Sequence, residues 1–400
     1  MTEPALCRNP EKNILAVVTF SHLAQHFYVG LSILYPYMMS DLNLNYTQLG
    51  IVTGLSSTIS GFLQMIWSLL NRYAPKRILL GVGNALMSLG CLMTASAGRF
   101  VELAGANIVS GIGQAAQHPV GTSLITSRFE REKVSGALSI HYGLGYVGNI
   151  ISPVLLSYVT ILFGWRLATY VLAIVPLTAC LVLLYFLRDE ESGSGSIQGR
   201  QETNLWKDVK SVVHIKSAIP VIAAQAFASS GTGMDIITTY IPLFLKNQLN
   251  VGIMETSAIY SAAVVGGVIG TVFLGHAANR FGSLRTASAI LGAGSIAIFL
   301  LVFHSSFGLW LLPHIFIIGI TSFSFSSLLQ AHLASISTPQ QRDILLGIFF
   351  TIGFGISALW TTFTGFLIDT YASFTPAWVL KAALGTIAFL FAMAALRRGK

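Results

Sequence analysis

Apolar runs long enough to cross a bilayer recur along the whole chain, each ended by a short polar turn, and this limits the fold more than any single motif. A spanning helix needs about 20 mostly apolar residues. Twelve segments meet that need, near residues 13–39, 46–70, 78–97, 100–127, 134–162, 166–187, 218–245, 254–276, 285–304, 307–336, 343–369 and 376–396. Only 10% of the 400 residues are charged and 54% are hydrophobic, whereas an average soluble domain is about 25% charged. The pattern excludes an ordinary soluble domain and predicts an all-α membrane protein of twelve transmembrane helices.

One polar stretch interrupts the rhythm. Residues 188–217 are rich in Gly, Ser and charge and predict a cytoplasmic linker between six-helix halves at 1–187 and 218–400. Within it, Leu205–Val213 reads as a short amphipathic helix on the membrane surface. With both termini in the cytoplasm, every Lys and Arg falls inside except Arg99, Arg166, Lys246 and Lys381. Basic residues favour the cytoplasmic side, so the net charge of +8 points to the membrane surface and not to nucleic acid. No cleavable signal is expected, because the first apolar run is too long and lacks a small-residue cleavage site. Cys7, Cys91 and Cys180 are odd in number, two of them in apolar runs, and imply no disulfide framework.

The halves also repeat. Asn71-Arg72-Tyr73 after the second span matches Asn279-Arg280-Phe281 after the eighth. Leu34-Tyr35-Pro36-Tyr37 matches Tyr240-Ile241-Pro242-Leu243, and Gly143-x-Gly145 matches Gly353-x-Gly355. Parallel repeats with a site near the midplane are a transporter architecture.

Particular residues sharpen this. Gly275-His-Ala-Ala-Asn279-Arg280-Phe281-Gly282-Ser-Leu-Arg285 resembles the major facilitator superfamily signature between spans 8 and 9, and Asn71-Arg72-Tyr-Ala-Pro-Lys76-Arg77 is a degenerate copy between spans 2 and 3. Gly148-Asn-Ile-Ile-Ser152-Pro153 resembles the fifth-helix motif of exporters in that superfamily, and Gly164-Trp165-Arg166 is common at its 5–6 turn. Ser21-His22-Leu23, Ile33-Leu34-Tyr35-Pro36, Gly111-x-Gly113, His118-Pro119 and Gly347-x-Phe349-Phe350 look like the fosmidomycin resistance type of efflux proteins. The resemblance implies the major facilitator fold and proton-coupled efflux of a small organic solute by alternating access. It also implies a monomer in the cytoplasmic (inner) membrane that needs no cofactor. The chain departs from the pattern in its charges. The signature acid is replaced at Asn71 and Asn279, the span 4 arginine falls at Asn107, and the span 1 acid falls at His26.

Histidines stand where those charges are missing. His22 and His26 are one helical turn apart and share a face. His118 follows Gln114 and Gln117 in span 4, with Gln114 on its face, and His141 lies in span 5. Histidine titrates near neutral pH, so these four predict a polar cavity through which protons are taken and released. The bland alternative is neutral, hydrogen-bonded packing. Asp235, after Gly231-Thr-Gly233, is an acid well inside a span. It is either a proton or cation site or a local partner of Thr238 or Thr239. Asn149, Gln330 and Trp360 complete the expected cavity, with Tyr35, Tyr240, His314 and His332 as further candidates. Asn71, Arg72, Arg77, Gly275, Asn279, Arg280 and Arg285 form the expected cytoplasmic gate loops, with the two asparagines hydrogen-bonding to facing helix ends.

No phosphate loop, nucleophile elbow or zinc spacing occurs, so neither an enzyme nor a metal site is expected. A solute, protons and the lipid bilayer are the expected partners. Uptake by symport or uniport on the same fold is the alternative to efflux. A transport-inactive sensor or scaffold is the rival from another class.

Overall fold

The computed structural model describes residues 10–71, 73–188, 215 and 217–398. Among these it is helical, with no strand. The helices are α1 (Pro10–Val29), α2 (Tyr35–Asp41), α3 (Tyr46–Leu70), α4 (Lys76–Ser96), α5 (Phe100–Gln114), α6 (Gln117–Thr126), α7 (Arg131–Gly145) and α8 (Val147–Phe186). They continue as α9 (Ala218–Gly231), α10 (Ile253–Phe281), α11 (Ser283–Leu300), α12 (Leu311–Ser335), α13 (Pro339–Tyr371) and α14 (Thr375–Arg398). Nine stretches of the described residues are long and apolar enough to cross a membrane.

The spans are less continuous than the hydropathy predicts. Span 1 passes through a 3₁₀ segment, Gly30–Leu34, between α1 and α2. Span 4 breaks between α5 and α6. Span 7 leaves α-helical geometry at Gly231 and resumes as two π-helical turns, Ile236–Tyr240 and Phe244–Gln248. Spans 5 and 6 are instead merged in α8, which bends at Gly164 with φ 84°, a conformation that costs an L side chain energy and glycine nothing. Arg166, just past the bend, lies 4.4 Å from the Trp165 ring centre and donates to Ala97 O at 2.9 Å. The expected linker 188–217 lies almost wholly outside the described residues, and the expected helix at Leu205–Val213 and the expected gate residue Arg72 lie outside them.

The chain groups into two compact units, Met1–Leu34 with Ile59–Gln198, and Tyr35–Thr58 with Gly199–Lys400. In the first, Ile14, Val18, Leu80, Ala116, Val120, Ile125 and Leu183 form an apolar core. In the second, Val221, Ala228, Leu291, Leu329, Phe349 and Ala388 do the same. The outward sides remain strongly apolar: Ile161, Leu162 and Phe163 on α8, and Leu309 and Trp310 before α12, are exposed. Bare apolar surface on this scale belongs against lipid.

Candidate functional site

The first unit brings all four predicted histidines together. His22 and His26, on α1, sit with ring centres 4.6 Å apart. His22 stacks on His141 of α7 at 4.4 Å and meets His118 of α6 edge-on at 5.3 Å. His22 and His141 are fully enclosed, His26 is buried, and His118 is half-buried. Gly145 makes this possible, since a Cβ there would land on the His22 ring. Tyr142 and Tyr146 close the cluster. Tyr142 lies 5.3 Å from His22 and shares a 2.8 Å hydrogen bond with Thr122, and Tyr146 lies 4.6 Å from His26.

The hydrogen bonds assign the protons. His22 Nδ1 is 3.2 Å from His141 O, and a carbonyl only accepts, so His22 carries its proton on Nδ1. Its Nε2 is then an acceptor, and His26 Nε2 donates to it at 3.2 Å. That leaves His26 Nδ1 as a bare, buried acceptor with no hydrogen-bond partner. His141 Nδ1 pairs with Thr19 Oγ1 at 3.4 Å, while its Nε2 has no partner. The ring neighbours and hydrogen-bond partners of the four rings are histidine, tyrosine, threonine or backbone, with the Asn149 amide beside His26. No acid among these described neighbours fixes a proton.

Around the cluster the sequence expectations fare unevenly. Gln117 accepts from Ser21 Oγ at 2.9 Å, and Asn84 donates to the same hydroxyl at 2.7 Å. Gln114 is half-buried at the end of α5, and Ala115 and Ala116, which join it to α6, keep right-handed helical dihedrals. The fifth-helix motif packs against α1. Gly148 lies against the Leu23 and Phe27 backbone, and Ser152 donates to Phe27 O at 2.6 Å.

In the second unit Asp235 is ion-paired with Lys381 of α14. This corrects the placement of Lys381 among the residues outside the membrane. It is enclosed about two turns into α14, with its ammonium donating to Ser230 O at 2.9 Å and lying 4.9 Å from the Tyr240 ring centre. Thr361 of α13 donates to the Asp235 carboxylate at 3.3 Å, and Tyr240 donates to Thr361 O. The expected local partner Thr238 instead donates to Met234 O. Lys381, Thr361, Tyr142 and Tyr146 escape the sequence reading. A lone acid in a span is a signal to look for a cation in another span, and Lys381 stands in such a run.

The remaining candidates make contacts of their own. Gln330 donates to Ser326 within its own helix, and Trp360 lies half-buried 6.0 Å from Phe363. His314 pairs with His304 at 2.8 Å beyond the end of α11, and His332 lines a pocket of about 420 Å³ with Arg285 and Arg397. In the first of the loops expected to form the gate, Lys76 donates to Ser123 O and Ser127 Oγ, both at 3.1 Å, and Arg77 donates to Leu187 O at 3.4 Å. These cations therefore meet carbonyl ends of helices, where the dipole favours positive charge. The asparagines behave differently from expectation. The Asn71 side-chain oxygen has no hydrogen-bond partner, and Asn279 is exposed with Arg280, while Gly275 has open space around it.

Comparison with known proteins agrees with this architecture. The chain is 25% identical over 387 residues to an uncharacterised MFS-type transporter of Bacillus subtilis, covering 94% of this chain and 92% of that protein. It is 23% identical to a probable sulfoacetate transporter of Cupriavidus necator, covering 91% and 89%. It is 24% identical to the fosmidomycin resistance protein of Escherichia coli, covering 89% and 86%. Among solved structures, a point mutant of the nucleoside transporter NupG shares the fold with a TM-score of 0.79 at 13% identity, covering 98% of this chain and all of that one. The Major Facilitator Superfamily profile matches residues 15–361 and 226–400, and the chain belongs to that superfamily, as a multi-pass membrane transporter of solutes and not an enzyme.

Proposed function

We propose that the protein carries a small organic solute by alternating access, coupled to protons through the histidine cluster, and that it works outward, as an efflux protein. The observation that supports the coupling is the directed chain from His26 to His22 to His141 O, which ends in the bare Nδ1 of His26. A proton arriving there turns the His26–His22 bond into a charge-assisted one without breaking any donor–acceptor pair. His118 and His141 are the neighbouring rings that such a charge acts on. Gln114, Gln117 and Asn149 complete the polar lining in this reading, with Asp235, Gln330 and Trp360 the contribution of the later spans.

Efflux draws its support from the likeness to the fosmidomycin resistance protein. The fifth-helix motif supports it less than its sequence suggests, since Gly148 and Ser152 serve helix packing that either direction needs. Uptake by proton symport has an observation of its own, the Asp235–Lys381 pair: a proton on Asp235 frees Lys381 for a solute anion, so the two travel together. The likeness to a probable sulfoacetate transporter fits that reading. The working arrangement is a monomer in the cytoplasmic membrane with both termini inside. Its six-helix halves, 1–187 and 218–400, are joined by 188–217, with the gate loops at Asn71–Arg77 and Gly275–Arg285.

Proteoliposome flux of sulfoacetate and of fosmidomycin, with a pH gradient imposed in either direction, separates the readings. Efflux predicts movement against the proton flow and symport predicts movement with it. His22→Ala, His26→Ala, His118→Ala and His141→Ala are the matching variants. Gradient-driven flux equal to wild type at every pH in all four sinks the histidine assignment.

A further inference from the structure

The Asp235–Lys381 pair lies outside the histidine relay and is built asymmetrically. The Lys381 side chain is 0% exposed, whereas Asp235 is 17% exposed. The ammonium has Ser230 O and the Asp235 carboxylate as acceptors. The carboxylate has one oxygen on Lys381 and Thr361, while its Oδ1 has no partner. Of the two charges, the lysine is walled in and the aspartate is the movable one.

The groups facing the pair are few. α9 presents Ser230 O, α13 presents Thr361, the π turn presents the ring of Tyr240, and α14 supplies Lys381 itself. Asp369, further along α13, is the next charge acting on Tyr240. Packing alone does not call for the ion pair. α9 and α14 already touch backbone to backbone at Gly231 and Gly385, and a buried ion pair is a poor stabiliser compared with apolar side chains of the same size. Its location is also irregular, between the end of α9 at Gly231 and the π turn from Ile236. Such backbone is tolerated at membrane depth where protein or a cavity surrounds it, and π turns collect at functional positions.

Charge balance then dictates what binds. If Asp235 takes a proton and swings away, Lys381 is left as an enclosed cation with one carbonyl, which is strongly unfavourable. An anion arriving while Asp235 is charged meets repulsion and an occupied lysine. The two events are stable only together. We propose that Asp235 is the resident counter-ion of Lys381, and that the solute carries a carboxylate- or sulfonate-type anionic group that takes its place as Asp235 binds a proton. One O–H bond forms, one negative charge enters with one proton, and no other bond changes. This rests on the reading of the chain as a carrier, in its proton-symport form, and names the class of its solute.

The test fills the lysine without using transport. In purified Asp235→Ala protein the carboxylate is gone and Lys381 remains. The thermal midpoint should fall, and formate should restore most of the loss where chloride at equal ionic strength does not. Asp235→Ala/Lys381→Met should show no such rescue. Wild type gives an independent arm, needed should Asp235→Ala fail to fold. Methanesulfonate, which stays charged, should raise its midpoint increasingly as pH falls, and the effect should vanish in Lys381→Met. Equal responses to chloride and to these anions, or a response that survives loss of Lys381, overturns the proposal. Gradient-driven flux is measured alongside. A protein that fails the anion test yet moves solute overturns only this inference, and one that passes it yet moves nothing overturns the carrier reading.

Discussion

The carboxylate of Asp369 caps the helix that begins at Tyr46 and Thr47, more than three hundred residues earlier in the chain. It accepts from the backbone N–H groups of Tyr46 at 2.9 Å and Thr47 at 2.8 Å, and from the Thr47 hydroxyl at 2.5 Å. The first N–H groups of a helix have no intrahelical acceptor, and a negative charge there also meets the positive end of the dipole. Asn45 and Gln48 satisfy a further reciprocal pair, Gln48 N to Asn45 Oδ1 at 2.8 Å and Asn45 N to Gln48 Oε1 at 3.1 Å. Below the cap, Gly50, Gly54 and Gly365 let α3 and α13 meet at backbone distance.

Asp369→Ala should therefore destabilise the protein by about 1–2 kcal/mol, in line with lost helix caps, and Asp369→Asn by less, because it keeps an acceptor. Thermal unfolding of purified protein checks this. Combining Asp369→Ala with Thr47→Val should add less than the sum of the single effects, because the two side chains share one bond. Full additivity would show that the Thr47 hydroxyl bond to Asp369 contributes nothing.

Gly145 sets the shape of the histidine cluster without touching a proton. A methyl group at this position would occupy the space of the His22 ring, and α7 and α1 have to part to admit it. Overpacking of this kind costs about 1–3 kcal/mol. Gly145→Ala should lower the thermal midpoint and reduce gradient-driven flux although all four histidines remain. Gly143→Ala, two residues away with open space at its Cβ, should leave both unchanged. Equal behaviour of the two variants would remove the close fit from the account.

The parts legible in the sequence were those carried by period and composition. Length and apolarity mark the helical segments, and the shared helical turn of His22 and His26 places two rings of the cluster. His118 and His141 are legible as ionisable residues in apolar runs, though their ring contacts with His22 depend on how α6 and α7 pack, which no local pattern encodes. Breaks were harder to see. Ala115 and Ala116 separate α5 from α6 although neither disfavours helix and both keep helical dihedrals. Lys381, a cation near the end of an apolar run, looks like a membrane-edge residue because its partner lies in a segment 146 positions away. Pairings across such distances are tertiary facts, whereas hydropathy is a local one.

Lys76, the first residue of α4, reaches the end of α6. Its ammonium holds Ser123 O and Ser127 Oγ at the end of α6, a helix of 10 residues. Cations at helix C-termini contribute about 0.3–1 kcal/mol, and salt screens the effect. Lys76→Met should weaken the protein by that amount at low ionic strength and by less at high salt. An effect independent of salt would point to lost packing of the lysine stem in place of its charge.

The ion pair of the second unit makes the largest prediction. Lys381→Met leaves the Asp235 carboxylate among Thr361, Tyr240 and apolar neighbours with its counter-charge gone. Removing one member of a buried pair costs about 3–5 kcal/mol, whereas replacing both with apolar groups of similar volume is often neutral or stabilising. Lys381→Met should thus lower the thermal midpoint strongly, and Lys381→Met/Asp235→Leu should recover most of the loss while gradient-driven flux stays abolished. The separation is the point of the test. A purely structural pair would give back stability and flux together, whereas a pair that exchanges its carboxylate for a solute's gives back stability alone.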